Sequence, residues 1–207
     1  MKNQQTEAPL EYYHAKYMEL DPEEAAKRTG LDFDAAAGRF TLCVLGFNMY
    51  ASWPELNLTP ADEQSCPKVL YDFEMQILVA RFLIEGADAP TGGKFKSYRE
   101  LPWGGVYDAN FQRRCVKRLA FSFGTRLDEF AKAAGKLGGQ RLGLGDVSYD
   151  LPFAGGVICR LILWAPDEEF PPSAQFLFSD NTPAAFNAED LAAVGDIIIT
   201  ALKEMTP

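Results

Sequence analysis

The chain has 207 residues and carries 20 lysines and arginines against 29 aspartates and glutamates, a formal net charge of −9. A chain of this length buries enough surface in one core to fold without disulfides or a metal. The acidic balance excludes a general nucleic-acid binder, whose affinity comes from neutralising phosphates. The longest apolar runs, Val157–Trp164 and Ile197–Leu202, fall well short of the ~20 residues of a membrane helix.

The opening stretch MKNQQTEAPLEYYHAKY has no apolar core of signal-peptide length. The expected compartment is the cytoplasm. Residues 9–20 place Leu10, Tyr13, Tyr17 and Leu20 on one face at helical spacing. Asp21-Pro22 then starts a second helix as N-cap and first residue, and Gly30 ends it. These two helices form an N-terminal extension, residues 1–30, expected to cover a single α+β domain at residues 31–207.

From Leu31 the period changes. Phe33, the turn Ala35–Gly38, then Phe40, Leu42 and Val44, and a further run to Trp53, read as a β-meander. Ser65-Cys66-Pro67 opens a helix to Glu85, with Leu70, Phe73, Ile77, Ala80 and Ile84 inward and Gly86 as its stop. Its apolar stripe is the longest in the chain, which predicts the most buried helix. Asp108 caps the next helix, whose inward face is Phe111, Cys115, Leu119 and Phe123. Thr125 and Asp128 form a capping box for another, with Leu127, Phe130, Ala134 and Leu137 inward. Gly138-Gly139 stops it.

Three strands follow at Val147–Leu151, Val157–Trp164 and Ala174–Phe178. Asn187 and Asp190 cap a last helix carrying Leu191, Val194, Ile198 and Leu202 on one face. The order of elements predicts a single α+β domain of antiparallel sheets packed with several helices.

Residues 138–146, GGQRLGLGD, lack the order of a phosphate loop and the following helix such a loop needs. Cys43, Cys66, Cys115 and Cys159 are scattered, with no C-x-x-C pair, and read as buried free thiols. Cys66 lies at a helix start, where a thiolate would be stabilised. His14 is the only histidine, so no His-ligated metal or His-based triad is expected, and no metal site is assigned.

Three stretches could carry function. In SYRELPWGGVYD, Tyr98 and Arg99 precede Trp103 and Tyr107, which flank Gly104-Gly105; the aromatics suit a flat ligand. In the following helix Arg113, Arg114, Lys117 and Arg118 share a face by spacing, and arginine forks suit a phosphate or carboxylate. In WAPDEEFPPSAQFLFSDN, Asp167, Glu168 and Glu169 run into Phe170 on a turn fixed by Pro166, Pro171 and Pro172. A proline-bounded loop keeps its acids solvated, which favours a contact role for Glu168, Glu169 and Phe170 over catalysis. With Asp150 or Asp180 as further ligands, a hard cation stays open as an alternative.

SYREL, the Gly-Gly–Tyr–Phe–Arg-Arg run at 104–114, LGG at 137–139, GD at 145–146, DEEFPPSAQFLF and AEDLAAVG at 188–195 occur in one order. Together they resemble the family called domain of unknown function 3786, over roughly residues 83–202. The resemblance brings no catalytic residue. Some members are joined to a small four-cysteine iron–sulfur domain of the type found in corrinoid proteins of anaerobic one-carbon metabolism. This chain lacks that domain, so direct cluster binding is not expected, and a tetrapyrrole or corrinoid contact is left open.

The expected function is therefore a cytoplasmic accessory domain that binds a small anionic ligand or a protein partner through Tyr98, Arg99, Trp103, Tyr107, Arg113, Arg114, Glu168, Glu169 and Phe170. The alternative is an enzyme using Asp167, Glu168 and Glu169 as acid, base or metal ligands while Arg113 and Arg114 hold an anionic substrate. A homo-oligomeric scaffold stays open beside both.

Overall fold

The computed structural model describes the backbone of residues 4–206 and the side chains of residues 11–206. Helices α1 (Gln4–Glu19) and α2 (Pro22–Thr29) open the chain. The Asp21 carboxylate accepts from the Glu23 and Glu24 amides, and Gly30 closes α2 in the left-handed region, both as the sequence predicts. Tyr13 and Tyr17 turn inward from α1, Tyr17 completely; the Leu10 side chain lies outside those described.

The meander is present as strands β1 (Asp32–Asp34), β2 (Arg39–Val44), β3 (Phe47–Ser52) and β4 (Leu58–Pro60), paired antiparallel in chain order. Cys43 alternates outward on β2 and is exposed, against the expectation of burial, because Leu42 and Val44 take the inward positions.

The helix predicted from Ser65 begins later. A 3-10 turn at Lys68–Leu70 breaks off, and α3 runs from Phe73 to Glu85 with the Asp72 carboxylate on the Met75 amide. Its buried residues are Met75, Leu78, Val79, Ala80, Phe82 and Leu83, so Ala80 faces inward as predicted. Phe73 is 38% exposed, and Ile77 and Ile84 are only half-buried. The helix is apolar on more than one side, so of the predicted stripe Leu70 and Ala80 are buried while Phe73, Ile77 and Ile84 lie toward its edge. Cys66 stays buried against the Met49 sulfur, and burial pushes its thiol up to about 11, the reverse of an activated thiolate.

Strand β5 (Phe95–Ser97) leads through a 3-10 turn at Tyr98–Glu100 into one continuous helical rod. The rod is α4 (Gly104–Phe111), a wide π turn (Gln112–Val116) and α5 (Lys117–Phe123). It begins a turn before the predicted start at Asp108, because Leu101–Trp103 fold back to present Gly104. Phe111, Cys115, Leu119 and Phe123 face inward as expected. Helix α6 (Leu127–Lys136) also has its predicted inward face, but Thr125 forms no capping box; Arg126 holds the N-cap position without a side-chain cap.

Strands β6 (Gln140–Leu142), β7 (Val147–Pro152), β8 (Ile158–Trp164) and β9 (Ser173–Ser179) follow. With β5 they form a second antiparallel sheet in the order β5-β9-β8-β7-β6. The short α7 (Thr182–Ala185) precedes α8 (Ala188–Glu204), whose capping box joins Asn187 and Asp190 as predicted. The fold class is α+β, with α5, the π turn and α6 covering the five-stranded sheet.

Helix α8, rather than α3, is the most enclosed element. Leu191, Val194, Ile197, Ile198, Ile199 and Leu202 are all buried, and the helix packs against α3, α4, the π turn and α6. Burial nearly all around follows from the isoleucine run at 197–199, while Asp196 at the centre is answered by arginines of the rod. No helix among the described residues is long and apolar enough to cross a membrane.

Candidate functional site

The 97–100 turn is built first. The Glu100 carboxylate accepts from both the amide and the hydroxyl of Ser97, at 2.8 and 2.7 Å. This holds Tyr98 inward, 1% exposed, where its hydroxyl donates to the Ala188 carbonyl at 2.8 Å. Tyr98 stacks on Phe111 with ring centroids 4.2 Å apart. The first turn of α4 sits tight against this unit. A Cβ on Gly104 would collide with the Tyr98 carbonyl oxygen, so only glycine allows the approach. Trp103, just before it, takes a left-handed backbone (φ 64°) that a bulky side chain rarely adopts, and points its indole into solvent, 79% exposed.

Along the rod, the π turn carries Arg113 and Arg114. Arg114 pairs through Nε with Asp196 of α8. Its two terminal amino groups make no hydrogen bond to any described residue. Arg118 also reaches Asp196, at 3.1 Å, and donates to the Thr200 hydroxyl at 2.9 Å. Two guanidinium groups therefore share one carboxylate, leaving a net positive charge beside α8. Arg113 is exposed, with only a 3.4 Å contact to the Asn110 side chain.

Tyr107, Asn110 and Arg114 on the rod, Tyr98 and Phe111 beneath, and Glu189 and Ala192 of α8 enclose a cavity of about 310 Å³. The small side chain of Ala192 makes the room. Beside this cavity along α8 lies a second hollow of about 290 Å³, lined by Tyr13, Phe73, Glu74, Ile77, Leu78, Arg81, Asp190 and Ala193. Glu189 stands between the two hollows. Arg81 Nε lies 2.8 Å from the Asp190 carboxylate, close enough to pair but not aligned as a hydrogen bond. Burial pushes Asp190 up to about 6, against the opposing pull of Arg81. Burial likewise raises Glu74, with Asp72 adding to it and Arg114 opposing.

The acidic turn is a separate feature. The Asp167 carboxylate accepts from the Glu169 and Phe170 amides at 2.8 and 2.7 Å, which closes the tip on itself. Asp167, Glu168, Glu169 and Phe170 are exposed, Phe170 at 66%. The base of the turn rests on the end of α5, where Pro172 fills the space left by Gly124. Arg114 lies ten residues before Gly124, about 15 Å along the rod. The open hollow beside the tip holds Asp146, Trp164, Asp167 and Phe170 but no arginine.

The sequence segments thus meet, but through their cores. β5 pairs with β9, and Phe111 packs on Phe176 and Phe178. Of the expected site residues, Tyr98, Tyr107 and Arg114 converge on one cavity. Arg99, Trp103 and Arg113 are exposed and do not line it, and Glu168, Glu169 and Phe170 stand apart at the far end. Asp150 and Asp180 are engaged elsewhere, with Arg160 and with Thr91. No cluster of three or more metal-ligating His, Cys, Asp or Glu side chains occurs among the described residues. His14 is half-buried, its Nε2 3.0 Å from the Glu55 carbonyl.

A family model described as a domain of unknown function (DUF3786) matches residues 21–201. The chain belongs to that family. The DUF3786 match therefore takes in α2, both sheets and nearly all of α8, well beyond the stretch whose motifs carry the resemblance. Neither the curated proteins nor the solved structures hold a match.

The α8 side of the DUF3786 cavity was missed by sequence reasoning: Glu189, Ala192, Asp196 and, in the hollow beside it, Arg81 and Asp190. One signal was available. Asp196 interrupts the apolar run between Val194 and Ile197, and a buried acid requires a partner. Which arginine answers it is set by a contact across 82 positions of chain, which spacing cannot reach.

Proposed function

We propose that this chain is a binding domain whose cavity between Tyr107, Arg114 and α8 takes a small ligand with a flat apolar body and an anionic group. The observation that carries it is the convergence of Tyr98, Tyr107 and Phe111 with Arg114, whose Nε is fixed by Asp196 while its terminal amino groups stay available. A guanidinium held on one side and open on the other is preorganised for a carboxylate or phosphate. Among the residues lining the cavity Arg114 is the cation and Glu189 the carboxylate, so the anionic group is placed at the Arg114 end.

The size supports a ligand of one or two fused rings, since about 310 Å³ is at the small end of ligand pockets. A tetrapyrrole or corrinoid would meet this cavity only by an edge or a side-chain carboxylate. An accessory role in anaerobic corrinoid or one-carbon metabolism rests on the family resemblance. Binding is favoured over catalysis because the residues lining the cavity present no nucleophile beside a base. The acids of the 167–169 turn stand in a different hollow from Arg114.

The test is a fluorescence titration with 5-(dimethylamino)naphthalene-1-sulfonate, two fused rings bearing one anionic group. Saturable binding should weaken at least tenfold in Arg114→Gln and in Tyr107→Ala, both retaining the wild-type melting temperature within a few degrees. Equal binding by the wild type and both variants overturns the assignment.

A further inference from the structure

The outward face of the α4–π–α5 rod is a different surface from the cavity. Phe111, Cys115 and Leu119 are buried. Arg113, Lys117 and Phe121 each follow one of them by two residues, about half a turn round the helix, and all three are exposed. Val106 is 71% exposed and Phe121 is 66% exposed. Trp103 adds an exposed indole at the start of the rod. The face therefore reads apolar at one end, basic in the middle and apolar again at the other. Arg99 lies beside the first apolar end, its backbone against Gly104 and Gly105. Among the described residues, Arg99, Arg113 and Lys117 make no ion pair.

Two features set this face apart from ordinary surface. Large exposed side chains are placed together, at Trp103 and Val106. Trp103 also keeps a strained left-handed backbone, although its side chain is 79% exposed and packs on little of its own chain. Unpaired bases grouped on a protein of net charge −9 point to an acidic partner.

We propose that this face docks an acidic segment of another protein, with an apolar anchor on each side of its carboxylates. Val106 and Phe121 are fifteen residues apart, about 22 Å along the helix. A facing helix of roughly the same length would set one anchor near Trp103 and Val106, its acids over Arg113 and Lys117, and the second anchor near Phe121. Charge complementarity selects this occupant over two others. A second copy laid antiparallel about a two-fold axis would oppose Arg113 and Lys117 with themselves. An anionic bilayer would meet the repulsion of the remaining acidic chain, whereas a narrow segment feels only the local patch within about 8 Å.

The experiment is a selection from a display library of 18-residue peptides on the immobilised full chain, followed by solution titration of the enriched peptides. The expected result is enrichment of peptides with central Asp or Glu flanked by aromatic or leucine residues, binding at least tenfold more weakly to Arg113→Glu and to Val106→Ser. Trp103→Gly should also lose binding while melting at or above the wild-type temperature, because glycine relieves the left-handed backbone. Arg114→Gln, which alters the cavity but not this face, should bind these peptides as the wild type does. Enrichment without acidic character, or binding unchanged by Arg113→Glu, overturns the proposal. So does concentration-dependent self-association that Val106→Ser abolishes, or binding to phosphatidylserine vesicles in place of peptides.

Discussion

Tyr98 and Phe111 stack with their planes 2° apart and their centroids 4.2 Å apart, and this pair joins the 97–100 turn to the rod that carries Arg114. The Tyr98 hydroxyl then fastens both to the first residue of α8. Tyr98 is therefore a floor and a strut for the cavity rather than an available donor. Tyr98→Phe should cost about 1 kcal/mol, the net value of one buried hydrogen bond. Phe111→Ala should cost about 3–5 kcal/mol, as for a large aromatic removed from a packed core. Chemical denaturation of the two variants measures both, and no loss in Tyr98→Phe would deny the strut.

The phase of α3 gives a paired prediction. Leu78 is 2% exposed, while its neighbour Ile77 lines the second hollow and is half-buried. Leu78→Ala should cost about 2–5 kcal/mol, and Ile77→Ala about 1 kcal/mol, in proportion to the smaller area removed from water. The reverse order would restore the stripe that spacing alone selected.

Asp190 makes stability depend on pH. Its ordinary value is 3.8, and in the fold burial pushes it up to about 6. A group raised on folding favours the folded state when protonated, so its contribution is complete below the unfolded value and is lost as pH rises through the folded one. Between pH 5 and pH 7.5 about 1 kcal/mol should disappear from this source. Denaturant titrations at the two values test this. Asp190→Asn should flatten the difference even though it lowers stability overall by leaving Arg81 without its counter-charge.

Thiol chemistry separates the four cysteines. Cys43 is exposed, whereas Cys66, Cys115 and Cys159 are buried. Burial pushes Cys115 up to about 12, with Asp196 adding to it, and burial raises Cys159 as well. One thiol per native chain should react rapidly with Ellman's reagent, and Cys43→Ser should abolish that phase. A second fast thiol would mean that the packing around the rod opens readily.

Local chemistry was legible and long-range chemistry was not. The caps at Asp21 and Asn187, the meander and the inward face Phe111–Cys115–Leu119–Phe123 all follow from residues within a few positions of each other. The start of α4 was misplaced because Asp108 looks like a cap, while the true start depends on Gly104 meeting Tyr98. Thr125 and Asp128 have the spacing of a capping box, yet Arg126 occupies the cap position. Three of the cavity residues, Tyr98, Tyr107 and Arg114, could be named from aromatic and basic clustering. Asp196, which orients Arg114, and Ala192, which makes room beside it, belong to a helix that the rod meets only after folding. The acidic turn was drawn into the same site because opposite charges attract, but Gly124 seats Pro172 at the far end of the rod.

The central claim is that the cavity at Tyr107 and Arg114 is the ligand site. It is tested most directly by amide chemical shifts of the ¹⁵N-labelled chain during titration with indole-3-carboxylate, a flat ring system bearing one carboxylate. Saturable shifts are expected at Tyr98, Tyr107, Asn110, Arg114, Glu189 and Ala192, abolished in Arg114→Gln. Saturable shifts centred instead on Asp146, Trp164 and Phe170, or on the Arg81 hollow with the Arg114 region unmoved, would contradict it.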